Sequence, residues 1–372
     1  MANIQVRKIN NMKDKEIIEL LTLDNSDTND VVSKNKNGKR KKIAIITSSS
    51  IGGLFLIALF LLYGPWSGFR NFWITTAMTT MNHRYLATSL YSDETIQQVL
   101  AKNQIIEPSG ISNPNLIKFT RYGDSTTYKN KYDEQILNHD KDALYKVIDI
   151  KGDKYNGYLV AIYDPSRISI ATSKHLGKTG QLITTVAKDN DAIIAMNAGG
   201  FYDPDWNSNG ALPHGTVIQN GKIVSDYDDA SMGGGFIGFD KDNKLILGKM
   251  TKEQALKKGL RDAVEFGPFL IINGKSAFVK GNGGWGIAPR SAIGQRKDGI
   301  VLFLVINGRL ATSIGADMSD LTEVMENYGA VNAANLDGGS STELVINHKI
   351  INTPVAAGTN GLRTMATFWI VK

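Results

Sequence analysis

A chain of 372 residues that carries a formal net charge of +6 and no cysteine is limited at once in what it can be. Without thiols there is no disulfide framework, no zinc–thiolate site and no cysteine nucleophile. The positive surplus does not point to nucleic acid. Part of it is one cluster, Lys36, Lys39, Arg40, Lys41 and Lys42, set against an apolar run where anionic membrane lipid is the natural partner.

Residues 1–42 are polar and rich in Asn, Asp and Lys, and read as a mostly disordered cytoplasmic tail with one short amphipathic segment, Lys15 to Leu23. Next comes IAIITSSSIGGLFLIALFLLY, Ile43 to Tyr63, with no charged residue. As a helix its 21 residues span about 31 Å, the thickness of a bilayer's hydrocarbon core. The lysine cluster before it holds the N-terminus in the cytoplasm and sends the rest outward. The expectation is a single-pass cell-membrane protein with an extracellular C-terminal domain. A cleaved signal peptide has a shorter apolar region nearer the start. An exported domain without disulfides suits a Gram-positive cell surface.

Residues 64–143 read as a juxtamembrane helical segment and linker. Ser92 stands as N-cap of a helix running to about Asn103, and Pro108, Gly110 and Pro114 mark the linker. From Leu144 to Lys372 short apolar runs alternate with glycine turns. Asn220-Gly221 and Asn273-Gly274 are hairpin signals, and helices are expected only at Thr179–Asn190, Thr251–Gly259 and Ser319–Tyr328. The fold class that follows is α+β: a strand-rich, mixed-sheet domain with few helices, preceded by one transmembrane helix.

Four polar clusters interrupt the strands: Asn197–Asp203 with His214 shortly after, Glu265–Phe269, Ala288–Gly294 and Asn335–Thr342. Glycines at 199, 200, 338 and 339 allow close backbone approach to a ligand and left-handed conformations. Successive glycine amides beside the Ser340 hydroxyl suit an anion. Arg290, followed by Ser291, offers a planar fork of donors for phosphate oxygens. Asp337 ends an apolar segment as a candidate catalytic carboxylate, with Glu265 as the second of a pair. Each has a plainer reading, since Asp-Gly-Gly is also a turn sequence and Arg290 also a structural ion-pair partner. Asp203, Asp205, Asp317 and Asp337 have the oxygen chemistry of a divalent cation such as calcium, without EF-hand spacing.

NAGGFY (197–202), GPF (267–269), PRSAIG (289–294), INGR (306–309) and NLDGGSST (335–342) stand in the order of the motifs of the phosphodiester glycosidase family, and residues 145–370 resemble it. The resemblance implies cleavage of a sugar from the phosphate on its anomeric carbon. It sets Asn197, Gly199, Gly200, Arg290, Asp337, Gly338 and Gly339 on motif positions. On that basis Asp337, Glu265 and His214 are the expected catalytic residues. Asn197, Gly199, Gly200, Arg290, Ser291, Gly338, Gly339 and Ser340 are the expected substrate and phosphate contacts. Asn307 replaces the family's aspartate before Gly-Arg, and Ser340 its third glycine. Two functions stay open: hydrolysis of a sugar-1-phosphodiester in an exopolysaccharide, teichoic acid or similar envelope glycan, or glycan binding and export on the same fold.

Overall fold

The computed structural model describes residues 50–79, 84–120, 127–202, 208–227, 234–357 and 359–372. The expected cytoplasmic tail, the stretch 43–49, and Asp203 and Asp205 lie outside them. The described residues fall into two units divided between Arg70 and Asn71.

In the first unit, Ser50–Tyr63 is helical and its apolar side chains, among them Leu54, Phe55, Leu56 and Phe60, are exposed. Among the described residues no single helix is long and apolar enough to cross a membrane. Ser50–Tyr63 and Ser67–Met78 meet that length and composition only as a pair, bent by 79°.

The second unit is built on three sheets. The seven-stranded sheet runs in the order 275–276, 269–272, 330–335, 290–296, 301–306, 156–162, 145–151. One five-stranded sheet orders 222–227, 215–219, 260–266, 235–240, 245–248, and the other 349–350, 344–346, 194–197, 367–371, 168–172. Every strand pairing among the described residues is antiparallel, so the sheets are not mixed as the sequence suggested. Hairpins explain part of this, since a two-residue turn can return a strand only beside and against its predecessor. Asn220-Gly221 and Asn273-Gly274 make such turns, all four residues with positive φ.

The three sheets enclose one core. Val301, Phe303 and Val305 of the large sheet, Phe239 and Val264 of one small sheet, and Met196 and Trp369 of the other pack together there. Burying such a side chain contributes about 1.5–3 kcal/mol. The edge-to-face contact of Trp369 on Phe239, centroids 5.5 Å apart, adds about 0.5–1.5 kcal/mol. The outer face of each sheet is covered in turn. Leu302, Leu304 and Ile306 lie under the helices Lys131–Leu137 and Met318–Asn327. Ile183–Asp189 and Lys252–Lys257 cover the two small sheets. A strand buried on both faces reads as an unbroken apolar run, as VLFLVI does.

Helix starts follow side-chain chemistry. Ser92 caps Asp93–Lys102, its hydroxyl accepting from the Thr95 amide at 3.3 Å, as expected. The helix expected from Ser319 is instead capped by Asp317, whose carboxylate accepts from the Ser319 and Asp320 amides at 2.9 and 3.1 Å. Asp320 bonds back to the Asp317 amide, completing a capping box, and Lys154 pairs with both carboxylates.

The segment expected to be a linker is docked. Gln104–Ile106 pairs with Phe278–Lys280, the Glu107 carboxylate accepts from the Phe269 amide at 2.8 Å, and the Ser112 hydroxyl from Leu247 at 2.8 Å.

Replacing Asp317 with Ala is expected to cost about 1–2 kcal/mol in urea unfolding, and Ser319→Ala under about 0.5 kcal/mol. The opposite ranking would assign the cap to Ser319.

Candidate active site

Strands from all three sheets end at one place. Ile194–Asn197 and Ala330–Asn335 finish there, Gly215–Gln219 and Arg290–Arg296 begin there, and Leu260–Phe266 delivers Glu265 beside them.

Asn197 is the joint. Its side-chain amide donates to the Asp337 carbonyl at 2.6 Å, and its oxygen accepts from the Ser291 hydroxyl at 2.7 Å and the Glu343 amide at 3.3 Å. Both faces of the amide are therefore taken up inside the protein. Asn197 and Ser291, expected as substrate contacts, are tied to one another and to the Asp337 loop. The Asp337 amide donates to the Ala198 carbonyl at 3.1 Å, and Gly339 to Pro289 at 2.8 Å, which closes the loop onto the strand ends.

Asp337 is set half-exposed on that loop. Burial of its carboxyl raises its pKa, opposed by the Ser341 hydroxyl, the Arg363 charge, the Gly338 amide and the His214 ring. His214 is buried and donates its backbone N–H to the Gly200 carbonyl at 2.9 Å. Immediately after it, Gly215 with φ +63° lies against the Glu265 side chain, where a Cβ would collide with the carboxylate, and the Thr216 amide donates to that carboxylate at 3.1 Å. The structure thus sets the His214 ring near Asp337, and Glu265 against the residues that follow His214.

The glycines act differently from expectation. Gly199 and Gly200 keep negative φ, and a Cβ on Gly200 would meet the Phe266 ring at 2.8 Å and His214 at 3.2 Å. They are small so that the wall can pack. Gly339 alone of the four is left-handed, at φ +61°. The Gly338 amide is used by the Asp337 carboxylate and the Gly339 amide by Pro289, so the pair forms no open anion nest.

Arg290 is buried, and its Nε and Nη2 donate to the backbone carbonyls of Ala316, Trp285 and Gly286. Burial depresses its pKa to about 10, with Asp317 and Asp337 opposing and Arg309 reinforcing the fall. Two of its three nitrogens are committed to loop carbonyls, which makes it a tie first and a ligand fork at most through Nη1.

Sequence reasoning passed over Arg309, although the INGR motif was in view. It is exposed, held by a left-handed backbone at φ +58°, and donates to the Ser340 hydroxyl at 3.2 Å. Its Nη2 would lie 3.2 Å from a Cβ on Gly339, so it overhangs the Gly338–Ser340 loop. No carboxylate among the described residues forms an ion pair with it. The departure at Ser340 supplies this hydroxyl. That at Asn307 is structural: its amide donates to Asn156 at 2.8 Å and accepts from the Thr353 amide at 2.9 Å, and a carboxylate would lose the first bond.

Glu343 was also missed, because a glutamate between Thr and Leu looks like a surface residue. It is wholly buried, with one oxygen accepting from the Arg363 amide at 2.9 Å and the other without a hydrogen-bond partner among the described residues. Burial pushes its carboxyl up to about 8. No group of three potential metal ligands forms among the described residues, and Asp317 is engaged by its helix and Lys154.

The fold has a known counterpart. The family model for phosphodiester glycosidase matches residues 190–372, and this part of the chain is similar to that family. The catalytic domain of zebrafish N-acetylglucosamine-1-phosphodiester alpha-N-acetylglucosaminidase, auto-inhibited by its pro-peptide, shares the fold. Its TM-score is 0.51 at 18% identity, over 73% of this chain and 97% of that one. The SPbeta prophage-derived uncharacterized protein YomE of Bacillus subtilis is 30% identical over 199 residues, 51% of this chain and 30% of the relative's length.

A carboxyl whose pKa is raised in the fold favours folding at low pH and opposes it once ionised. Stability is therefore expected to fall as pH rises from the ordinary glutamate value of 4.5 towards about 8, by on the order of 4 kcal/mol. In Glu343→Gln that slope should flatten when thermal unfolding is followed from about pH 5 to about pH 9; an unchanged slope assigns it elsewhere.

Proposed function

We propose that the chain is a membrane-anchored phosphodiester glycosidase that hydrolyses a sugar-1-phosphodiester linkage in an exopolysaccharide, a teichoic acid or a similar envelope glycan outside the cell. The observation that carries this reading is Asp337 at the strand ends with the His214 ring near it and Arg309 overhanging the loop that follows it.

The reaction needs two kinds of group. In hydrolysis at the anomeric carbon, a water oxygen bonds to C1 while the C1–O bond to phosphate breaks. The electron pair leaves on the phosphate oxygen, and a base takes the water proton. A phosphate monoester is a good leaving group, so charge stabilisation matters more than protonation there. Arg309 with the Ser340 hydroxyl supplies an open cation and a polar hydrogen beside the carboxylate, the role the sequence had given to Arg290. Asp337 takes the proton from water, and the nearby His214 favours its ionised form. Glu265, fixed by the Thr216 amide, is the second carboxylate that such chemistry uses.

Anchoring rests on the uncharged Ile43–Tyr63 run and the basic cluster before it, together with the exposed apolar helix Ser50–Tyr63. With the basic cluster inside, the catalytic unit lies on the side where envelope polymers are found.

The full-length chain is expected to release free sugar and a phosphomonoester from a panel of sugar-1-phosphodiesters. Asp337→Asn should lower kcat by about 10³-fold or more, and Arg309→Ala should lower kcat/KM by about 10²-fold, with Arg309→Lys between. The acid limb of the wild-type kcat/KM profile should lie above the ordinary aspartate value of 3.8. Equal inertness of wild type and Asp337→Asn across the panel would count against the reading. Separately, the chain should sediment with membranes and resist carbonate extraction, and a protease added to intact cells should cut the 71–372 unit but not residues 1–42. Release by carbonate removes the anchor from the proposal.

A further inference from the structure

Beside the site, residues 281–286, Gly-Asn-Gly-Gly-Trp-Gly, form a loop wound far more tightly than a surface connection requires. All four glycines have positive φ, between +58° and +77°. None has room for a Cβ. Gly284 lies against the Asn103 carbonyl, Gly286 against the Thr76 backbone at 2.9 Å, Gly281 against the Asn103 side chain and Gly283 against Met318 at 2.9 Å. Asn282 locks the centre: its side-chain Nδ2 donates to the Thr75 hydroxyl at 2.6 Å, its backbone N–H to the Asn103 side chain at 3.2 Å, and its side-chain Oδ1 accepts from the Gly284 amide at 3.1 Å. From the other side, Arg290 grips the carbonyls of Trp285 and Gly286.

What this construction presents is one half-buried indole. Trp285 meets Phe266 edge-to-face, centroids 6.4 Å apart, and the Phe266 ring is the surface on which Gly200 packs beside His214. The indole therefore extends the catalytic wall. The groups near it are polar: Asp337 and Arg309, whose charges act on the Arg290 that grips this loop, and Ser340, which bonds Arg309. A pyranose ring has a polar rim of hydroxyls and an apolar face of C–H groups. Polar groups can hold the rim, and an aromatic face is the complement to the other surface. A ring fixed by glycine packing and five hydrogen bonds loses little entropy when a ligand settles on it.

We propose that Trp285 is the sugar-binding platform of this site, and that residues 71–106, which precede the family-matched region, hold it in place. The proposal deepens the glycosidase reading and rests on it for the identity of the ligand as a hexose. Its physical content is separate: Thr75, Thr76 and Asn103 are positioning residues, and Trp285 is the group that touches substrate. Trp285 then governs the binding of the sugar, while Asp337 and Arg309 govern bond cleavage.

The test uses the full-length chain with two readouts. The first is turnover of a sugar-1-phosphodiester; the second is the change in tryptophan emission when methyl α-hexosides are added. Trp285→Ala is expected to raise KM about tenfold or more, with kcat within about threefold of wild type. Trp285→Phe should recover most of the KM, and the hexoside-dependent emission change should vanish in both. Asn282→Ala, which keeps the indole but loosens its seat, should raise KM in the same direction. A merely structural tryptophan would lower Tm in Trp285→Ala while leaving KM and the emission response intact, which overturns the proposal. If Trp285→Ala does not fold, wild-type KM in both Trp285→Phe and Asn282→Ala together with an unchanged emission response overturns it as well. Failure of the two ideas is distinguishable. Hexosides that quench Trp285 without any turnover support the platform and sink the glycosidase reading, whereas turnover with no Trp285 response does the reverse.

Discussion

A single primary amide joins the separate parts of this domain. Asn197 ends a strand in one five-stranded sheet, yet its side chain satisfies the carbonyl of Asp337, the hydroxyl of Ser291 and the amide of Glu343. Two of those lie on or just beyond strands of the seven-stranded sheet. A buried polar group left without its partner costs about 1–3 kcal/mol, so three such demands met at one buried residue fix the register of the sheets at their ends. The position of Asp337 depends on that register, because the loop carrying it is held by the same amide and by the Ala198 carbonyl.

Convergence of strand ends also sets the electrostatics. The wall is close enough to the core that burial raises the Asp337 and Glu343 carboxyls and depresses Arg290. Cations are distributed unequally around it. Arg290 is buried among carbonyls and stabilises the loop, Arg363 stands over the Phe201 ring at 4.6 Å, and Arg309 faces solvent over the Gly338–Ser340 loop. A guanidinium can serve as a structural fork or as a ligand fork, and which it becomes is decided by whether backbone carbonyls have already taken its donors.

The N-terminal part of the second unit belongs to the same construction. Asn103, Gln104–Ile106, Glu107 and Ser112 each bond to strands or turns from the family-matched region. A segment rich in Pro, Gly and polar residues has the composition of a linker. It is nonetheless ordered here because its side chains satisfy amides at the strand ends, and nothing in a local window of sequence records those distant partners.

Much of the architecture could be read from residues alone. Asn-Gly pairs fixed the hairpins because both residues tolerate positive φ, long apolar runs marked buried strands, and Ser92 marked a helix start by its hydroxyl. The motif order located the clusters that the fold carries to the strand ends, Asp337 and His214 among them. What each side chain does there was a tertiary decision. Arg290 and Arg309 are chemically identical, and so are Asn197 and any solvent-facing asparagine; their roles separate only when packing determines whose donors are already used. Glu343 carries the same lesson, since its raised pKa comes from neighbours scattered over the chain that exclude water from its carboxyl.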